Sequence, residues 1–224
     1  MTQKIDHRRW YYLTIDTETA GGLEYPLVYD IGGAIHDKHG NVYETFSFVI
    51  YDIFVGEKEL MQTAYYADKI PQYEKALSKG ERRMVRWFTA KNYIKTLCEK
   101  YGVKAIVAHN APFDRRSTNT TQRHLTNYRY FLPYGYEMWD TLSMAKCTIL
   151  TLKKYQEWAQ KYDYLCKNGK PRATAEILYR YLTDDEFFVE SHTALEDVLI
   201  EMKIFVECMK RKPTHKMPKS WEKS

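Results

Sequence analysis

Three strand-like runs follow one another within the first fifty residues, and this succession constrains the fold more than any other feature of the chain. Trp10 to Asp16 is rich in aromatic and β-branched residues, and Gly21-Gly22 then offers a place to turn. Leu27 to His36 reads as a second strand. Asp37-Lys38-His39-Gly40-Asn41 supplies turn chemistry, and Val42 to Ile50 alternates Val42, Glu44, Phe46, Phe48 and Ile50 against Tyr43, Thr45, Ser47 and Val49. Three such runs in sequence imply an antiparallel meander. Gly32-Gly33 inside the second run lowers its strand propensity, which predicts either a bulge or the close approach of another backbone.

Beyond Asp52 the pattern changes to helices. A helical stretch is expected around Glu57 to Ala67, then a short second helix between Pro71 and Gly80. Arg82 to Tyr101 reads as a helix with Met84, Val85, Phe88, Ile94, Leu97, Cys98 and Tyr101 near one face, ended by Gly102. Lys104 to Ala108 is short, apolar and strand-like, and a helix followed by a buried strand is the signature of a crossover to a parallel pair. Tyr136 to Trp139 reads as a fifth strand. After Asp140 the chain is helical: Leu152, Tyr155, Trp158, Ala159 and Tyr162 form one stripe, and Ile177, Leu178, Tyr181 and Leu182 another. A final helix carries Leu195, Val198, Leu199, Met202, Phe205, Val206 and Met209.

The expected architecture is one α/β domain over residues 10–210, a mixed sheet of a three-strand antiparallel meander plus two parallel strands, flanked by helices. Residues 1–9 and 211–224 read as a basic N-terminal extension and a basic C-terminal tail. Together they hold eight Lys or Arg against two acids, a net of +6, so the rest of the chain is near neutral at −1 within the formal charge of +5. A global basic field is therefore a weak argument for a polyanionic partner. The thirty-four aromatic residues (20 Tyr, 9 Phe, 5 Trp) are expected mainly in the core and against the sheet. Cys98, Cys147, Cys166 and Cys208 are widely spaced with no Cys-x-x-Cys pair, which favours reduced thiols over disulfides or zinc. No run approaches the roughly 18 apolar residues of a membrane span, and the opening residues lack the apolar stretch of a signal peptide. A cytoplasmic protein is expected.

Chemistry is concentrated in acids placed at the ends of these elements. Side chains two apart on a strand share a face, so Asp16 and Glu18 project together. Asp114 closes His109-Asn110-Ala111-Pro112-Phe113-Asp114, where Asn110 to Pro112 has the composition of a helix start directly after an apolar strand. The helix dipole and free N–H groups there favour negative charge. Thr193-Ala194-Leu195-Glu196 forms a capping box, so the last helix is expected to begin at Thr193 with Asp197 in its first turn and His192 on the loop leading in. An imidazole titrates near pH 6.5, suitable for accepting a proton at neutral pH. Hard divalent cations prefer oxygen ligands, and two of them roughly 3.5 to 4 Å apart can clamp both the attacking and leaving oxygens of a phosphodiester. Asp140 in Trp139-Asp140-Thr141-Leu142 is explained as a helix N-cap and stands outside this set.

The three segments, D-x-E, H-N-x-x-F-D and H-x-A-x-x-D, resemble the exonuclease motifs of the DEDDh (DnaQ-like) family, the clan of the proofreading epsilon subunit of DNA polymerase III, ribonuclease T and oligoribonuclease. The resemblance covers nearly all of residues 10–210 and implies a ribonuclease H-like sheet. It implies a 3′-to-5′ exonuclease that releases nucleoside 5′-monophosphates from single-stranded DNA or RNA 3′ ends. Asp16, Glu18, Asp114 and Asp197 would hold two Mg²⁺ (or Mn²⁺) ions, with His192 as general base. Thr19 and Asn110 would touch the terminal nucleotide. Position 193, where the sister subclass carries tyrosine, is threonine. A homodimer or a polymerase partner is compatible with the family, and residues 50–83 depart from its epsilon-like members. The alternatives are a nucleic-acid-binding module of the same fold without turnover, and a different metal-dependent phosphoesterase.

Overall fold

The computed structural model describes residues 5, 6 and 8–211; most of the two basic ends expected from the sequence lie outside the described residues. Among the described residues six strands form a mixed sheet, in the spatial order Arg83–Val85 (β4), Val42–Ile50 (β3), Leu27–Asp37 (β2), Tyr11–Ala20 (β1), Ala105–Ala108 (β5) and Glu137–Asp140 (β6). Tyr11–Ala20 (β1), Leu27–Asp37 (β2) and Val42–Ile50 (β3) pair antiparallel, as the short turns between them require. Ala105–Ala108 (β5) joins β1 in parallel, and Glu137–Asp140 (β6) joins β5. The remaining strand, Arg83–Val85 (β4), pairs in parallel with the far side of β3.

That sixth strand corrects the helical reading of 82–101. Met84 and Val85 belong to β4, the helix begins only at Trp87, and Phe88 faces solvent at 69% exposure. Three residues on a sheet edge are too few to display an alternation. The helix expected around 57–67 is realised only as Lys58–Met61 (α2), preceded by Tyr51–Phe54 (α1) and followed by a 3₁₀ turn at Ala67–Lys69, whereas the short helix expected between Pro71 and Gly80 is present as Ile70–Ser78 (α3). The later helices follow the expected order: Trp87–Tyr101 (α4), Ala111–Leu125 (α5), Thr141–Cys147 (α6), Lys153–Lys161 (α7), Ala175–Thr183 (α8) and Ala194–Lys210 (α9). Helix α4 stops at Gly102, whose φ of 58° places it in the left-handed region that glycine tolerates. None of the described helices is long and apolar enough to cross a membrane.

The pleat of β1 divides the core in two. Tyr11, Leu13 and Ile15 pack with Trp87, Ala90, Ile94 and Leu97 of α4, whereas Tyr12 packs on the other face with Val107, Leu178, Ile204 and Phe205. Continuing the alternation, Thr17 falls on the α4/α5 side, and Asp16 and Glu18 fall on the α9 side.

Gly32 brings α9 onto that face. It pairs with Asp16 across the β1–β2 ladder, and a Cβ added to it would lie 2.4 Å from the Leu195 backbone nitrogen. Of the two outcomes expected at Gly32-Gly33, close backbone approach is the one realised. The irregularity in the β1–β2 register lies at Glu18/Thr19 instead.

Candidate active site

Asp16, Glu18 and Asp197 each offer a carboxylate oxygen, and these atoms all lie within 4.8 Å of one another. Two of the three come from the end of β1, and the third comes from the first turn of α9, which Gly32 admits to the sheet. Burial, then the neighbouring charges of Glu201, Asp114, Glu18 and Asp197, push the Asp16 carboxyl well above the usual carboxylate range. Burial chiefly, with the charge of Asp197, raises Glu18 to about 9; burial and Glu190 raise Asp197 to about 8. The Oδ1 atom of Asp197 is buried with no hydrogen-bond partner. Crowded acids, with an unpartnered oxygen among them, form a donor set suited to a hard divalent cation, which would replace repulsion with ligation.

Asp114 stands apart from this triad. It is buried on α5, and its Oδ1 accepts a hydrogen bond of 2.9 Å from the Thr17 hydroxyl, which reaches it from the opposite side of β1. Burial raises its carboxyl to about 7 even though the Thr17 hydrogen bond opposes the shift. It remains close enough to Asp16 for its charge to act on that carboxyl. Asn110 is the N-cap of α5 with φ 63°, and its N–H donates to Asp140 Oδ1 at 2.9 Å. Asp140 also caps α6, accepting from the Leu142 and Ser143 N–H groups. One carboxylate therefore fixes the starts of both helices.

An open groove of about 1310 Å³ runs from the acids past His109 and Asn110 to the segment from Cys166 to Ala175, with Lys146, Lys170 and Arg172 along it. Asn110 lines this groove. Thr19 is half-buried on β1 and lies outside the lining.

His192 sits on the groove, five residues before Asp197, with φ 50°. This left-handed backbone is strained for a residue with a Cβ. The connection between β3 and β4 holds it in place. The Tyr66 ring stacks on the imidazole, and the Lys69 ammonium lies over that Tyr66 ring, 4.5 Å from its centroid, and donates to the Ser191 and His192 carbonyls. Glu190 Oε2 is 3.8 Å from His192 Nδ1, and Glu176 Oε2 accepts from the Glu190 N–H at 3.1 Å. Burial, then the Lys69 charge, lower the affinity of the imidazole for a proton, and the Glu176 charge opposes them.

The start of α9 differs in detail from the expected capping box. Thr193 is the N-cap, but its hydroxyl donates to Glu196 Oε2 at 2.6 Å instead of accepting from the helix. The Ala194 N–H is taken by Asp30 Oδ2 at 3.1 Å, from β2. The same oxygen accepts from the Tyr73 hydroxyl at 2.7 Å and from Arg82 Nη1 at 3.1 Å. Asp30, Tyr73 and Arg82 therefore dock the last helix, and no local pattern in the sequence marks them. Glu201 also escaped the sequence reading, although its four-residue spacing from Asp197 puts both on one face of α9.

No protein-family model matches the sequence, and no curated protein matches it. Solved structures do. The chain is similar to a moderately thermophilic exonuclease I from Methylocaldum szegediense (17% identity, TM-score 0.54), covering 92% of this chain and 41% of that one. It is similar to E. coli exonuclease I in complex with a 5cy-dT13 oligonucleotide (14% identity, TM-score 0.56), again over 92% and 41%. The zinc-ion-bound E. coli exonuclease I–ssDNA complex matches at 17% identity and TM-score 0.51, over 92% and 42%. The chain thus spans about two fifths of the length of each. At this identity the likeness shows the fold: a ribonuclease H-like mixed sheet flanked by helices.

Proposed function

We propose that this protein is a divalent-cation-dependent 3′-to-5′ exonuclease of the DEDDh type, acting on single-stranded nucleic acid. The observation that carries the reading is the convergence of Asp16, Glu18 and Asp197 within 4.8 Å at the floor of an open groove with His192 on it. The similar exonuclease I structures, which include ssDNA complexes and a zinc-bound form, support single-stranded DNA as the first substrate to test.

Asp16, Glu18 and Asp197, with Asp114 behind Asp16, would hold the cations. Bound divalent cations supply charge neutralisation at the phosphodiester and make an attacking water easier to ionise. His192, stacked on Tyr66, would receive the proton of the attacking water. Asn110 lies on the groove wall where a terminal nucleotide would rest, and its left-handed backbone is held by Asp140. Thr19 would reach the nucleotide only from the edge of the groove. Lys146, Lys170 and Arg172 place positive charge along the path of the following phosphates.

The test is degradation of end-labelled oligonucleotides with Mg²⁺, comparing single-stranded DNA, single-stranded RNA and dinucleotides. Stepwise release of nucleoside 5′-monophosphates from the 3′ end is expected. Internal fragments would assign a different phosphoesterase, and binding without turnover would assign a nucleic-acid-binding module.

A further inference from the structure

Glu201 lies one helical turn beyond Asp197 on α9, and the residue is 4% exposed. It lines the same groove as Asp16, Glu18 and Asp197. Its Oε2 atom is buried and has no hydrogen-bond partner. The backbone of His109 provides a hydrogen bond that favours its charged form, while Asp114, Asp197 and Glu190 are the charges around it.

A carboxylate in such surroundings has two physical solutions. It keeps a proton, as a buried neutral acid, or it meets a cation. Burying a glutamate whose Oε2 has no hydrogen-bond partner costs free energy that an apolar residue at this position of α9 would avoid, because Ile200, Ile204 and Phe205 beside it are buried.

We propose that Glu201, one helical turn beyond Asp197 and lining the same groove, is a further carboxylate ligand of the cation cradle. The inference rests on reading the site as a divalent-cation centre. It adds a donor that the three sequence motifs do not contain. A further anionic ligand strengthens cation binding and raises the charge that the site neutralises when loaded.

The test is direct titration of chelator-treated protein with Mn²⁺, followed by calorimetry and by the paramagnetic signal of free Mn²⁺, without substrate. E201Q preserves shape and removes charge; E201L removes the oxygens at similar volume and provides a second arm should the amide fold poorly. Both are expected to raise the Mn²⁺ dissociation constant at least about tenfold while the chelator-treated variants melt at or above the wild-type temperature. Wild-type affinity in either folded variant overturns the proposal and identifies Glu201 as a buried neutral acid. Wild-type protein that takes up no Mn²⁺ overturns the proposed function as well, so the two failures are distinguishable.

Discussion

Tyr66 and His192 stack with ring centroids 4.5 Å apart and planes inclined by only 15°, although 126 positions separate them in the chain. The contact fixes a strained loop, because His192 has φ 50° and its carbonyl accepts from Lys69 at 3.5 Å. A base displaced by an ångström loses its alignment with the proton it must take. Tyr66→Leu and Lys69→Met are each expected to lower kcat about tenfold or more with little change in KM. Tyr66→Phe, which retains the ring, should stay near wild type. Steady-state kinetics on a single-stranded oligonucleotide check this, and a wild-type kcat in Tyr66→Leu would remove the stack from the mechanism.

Gly32 and Gly33 are adjacent but separable. A Cβ at Gly32 meets the Leu195 nitrogen and the Ala194 carbonyl carbon at 2.4 and 2.5 Å, whereas one at Gly33 meets the Phe46 ring at 2.4 Å. Backbone cannot yield without moving α9, but a ring can rotate. Gly32→Ala should destabilise by about 1–3 kcal/mol and abolish most activity, because Asp197 moves with the helix. Gly33→Ala should lower the melting temperature while retaining turnover in the folded protein. Equal residual activities in the two variants would contradict this assignment.

Asp16→Asn separates stability from function. Burial raises the Asp16 carboxyl well above its ordinary range, so folding at neutral pH costs either the uptake of a proton or the burial of a charge, and the amide removes that cost. In chelator the variant is therefore expected to melt above the wild type. Mg²⁺ should raise the wild-type melting temperature much more than that of the variant, and cleavage by the variant should be nearly absent. Thermal melts with and without Mg²⁺ provide the measurement, and near-normal turnover by the variant would end the assignment of Asp16.

His36 sets a pH dependence away from the groove. Its ring is fully buried between the Thr14 hydroxyl at 2.7 Å and the Asp37 carbonyl at 2.9 Å, and burial pushes its pKa down to about 4. The neutral ring donates through Nδ1 to the Asp37 carbonyl and accepts from Thr14. Because the unfolded chain binds the proton near pH 6.5, the full contribution is present above that value and is lost as pH falls toward 4. The loss amounts to about 3 kcal/mol. His36→Gln should be less stable at pH 7.5 and should show a shallower loss between pH 6.5 and 4, measured by urea unfolding at each pH. Parallel pH profiles for the two proteins would refute it.

Much of the fold was legible because alternation and turn chemistry are local. The meander of β1 to β3, the crossover into β5 and the terminal helix each carry their own period, and Gly32-Gly33 marks either a bulge or a close backbone approach. The three-residue strand β4 and the broken helices between β3 and β4 were not legible. Their form depends on which sheet edge and which loop they cover. Leu199 also illustrates the limit: it shares the apolar spacing of α9, yet it is 43% exposed because the sheet covers a narrower face than the spacing suggests.

Local patterns in the chain establish which side chains are available and where they stand on their elements: Asp16 beside Glu18 on one face of a strand, Asp114 near the start of a helix, His192 leading into another with Asp197 in its first turn. How these groups meet depends on packing between distant segments. That packing gathers Asp16, Glu18 and Asp197 while holding Asp114 through Thr17, recruits Asp30 to cap α9, aims Glu201 at the same groove, and sets Tyr66 and Lys69 over His192. The physical reason is range. Backbone propensity and side-chain direction act over a few residues, whereas electrostatic crowding, docking of carboxylates and ring stacking arise only when packing brings distant segments within a few ångströms.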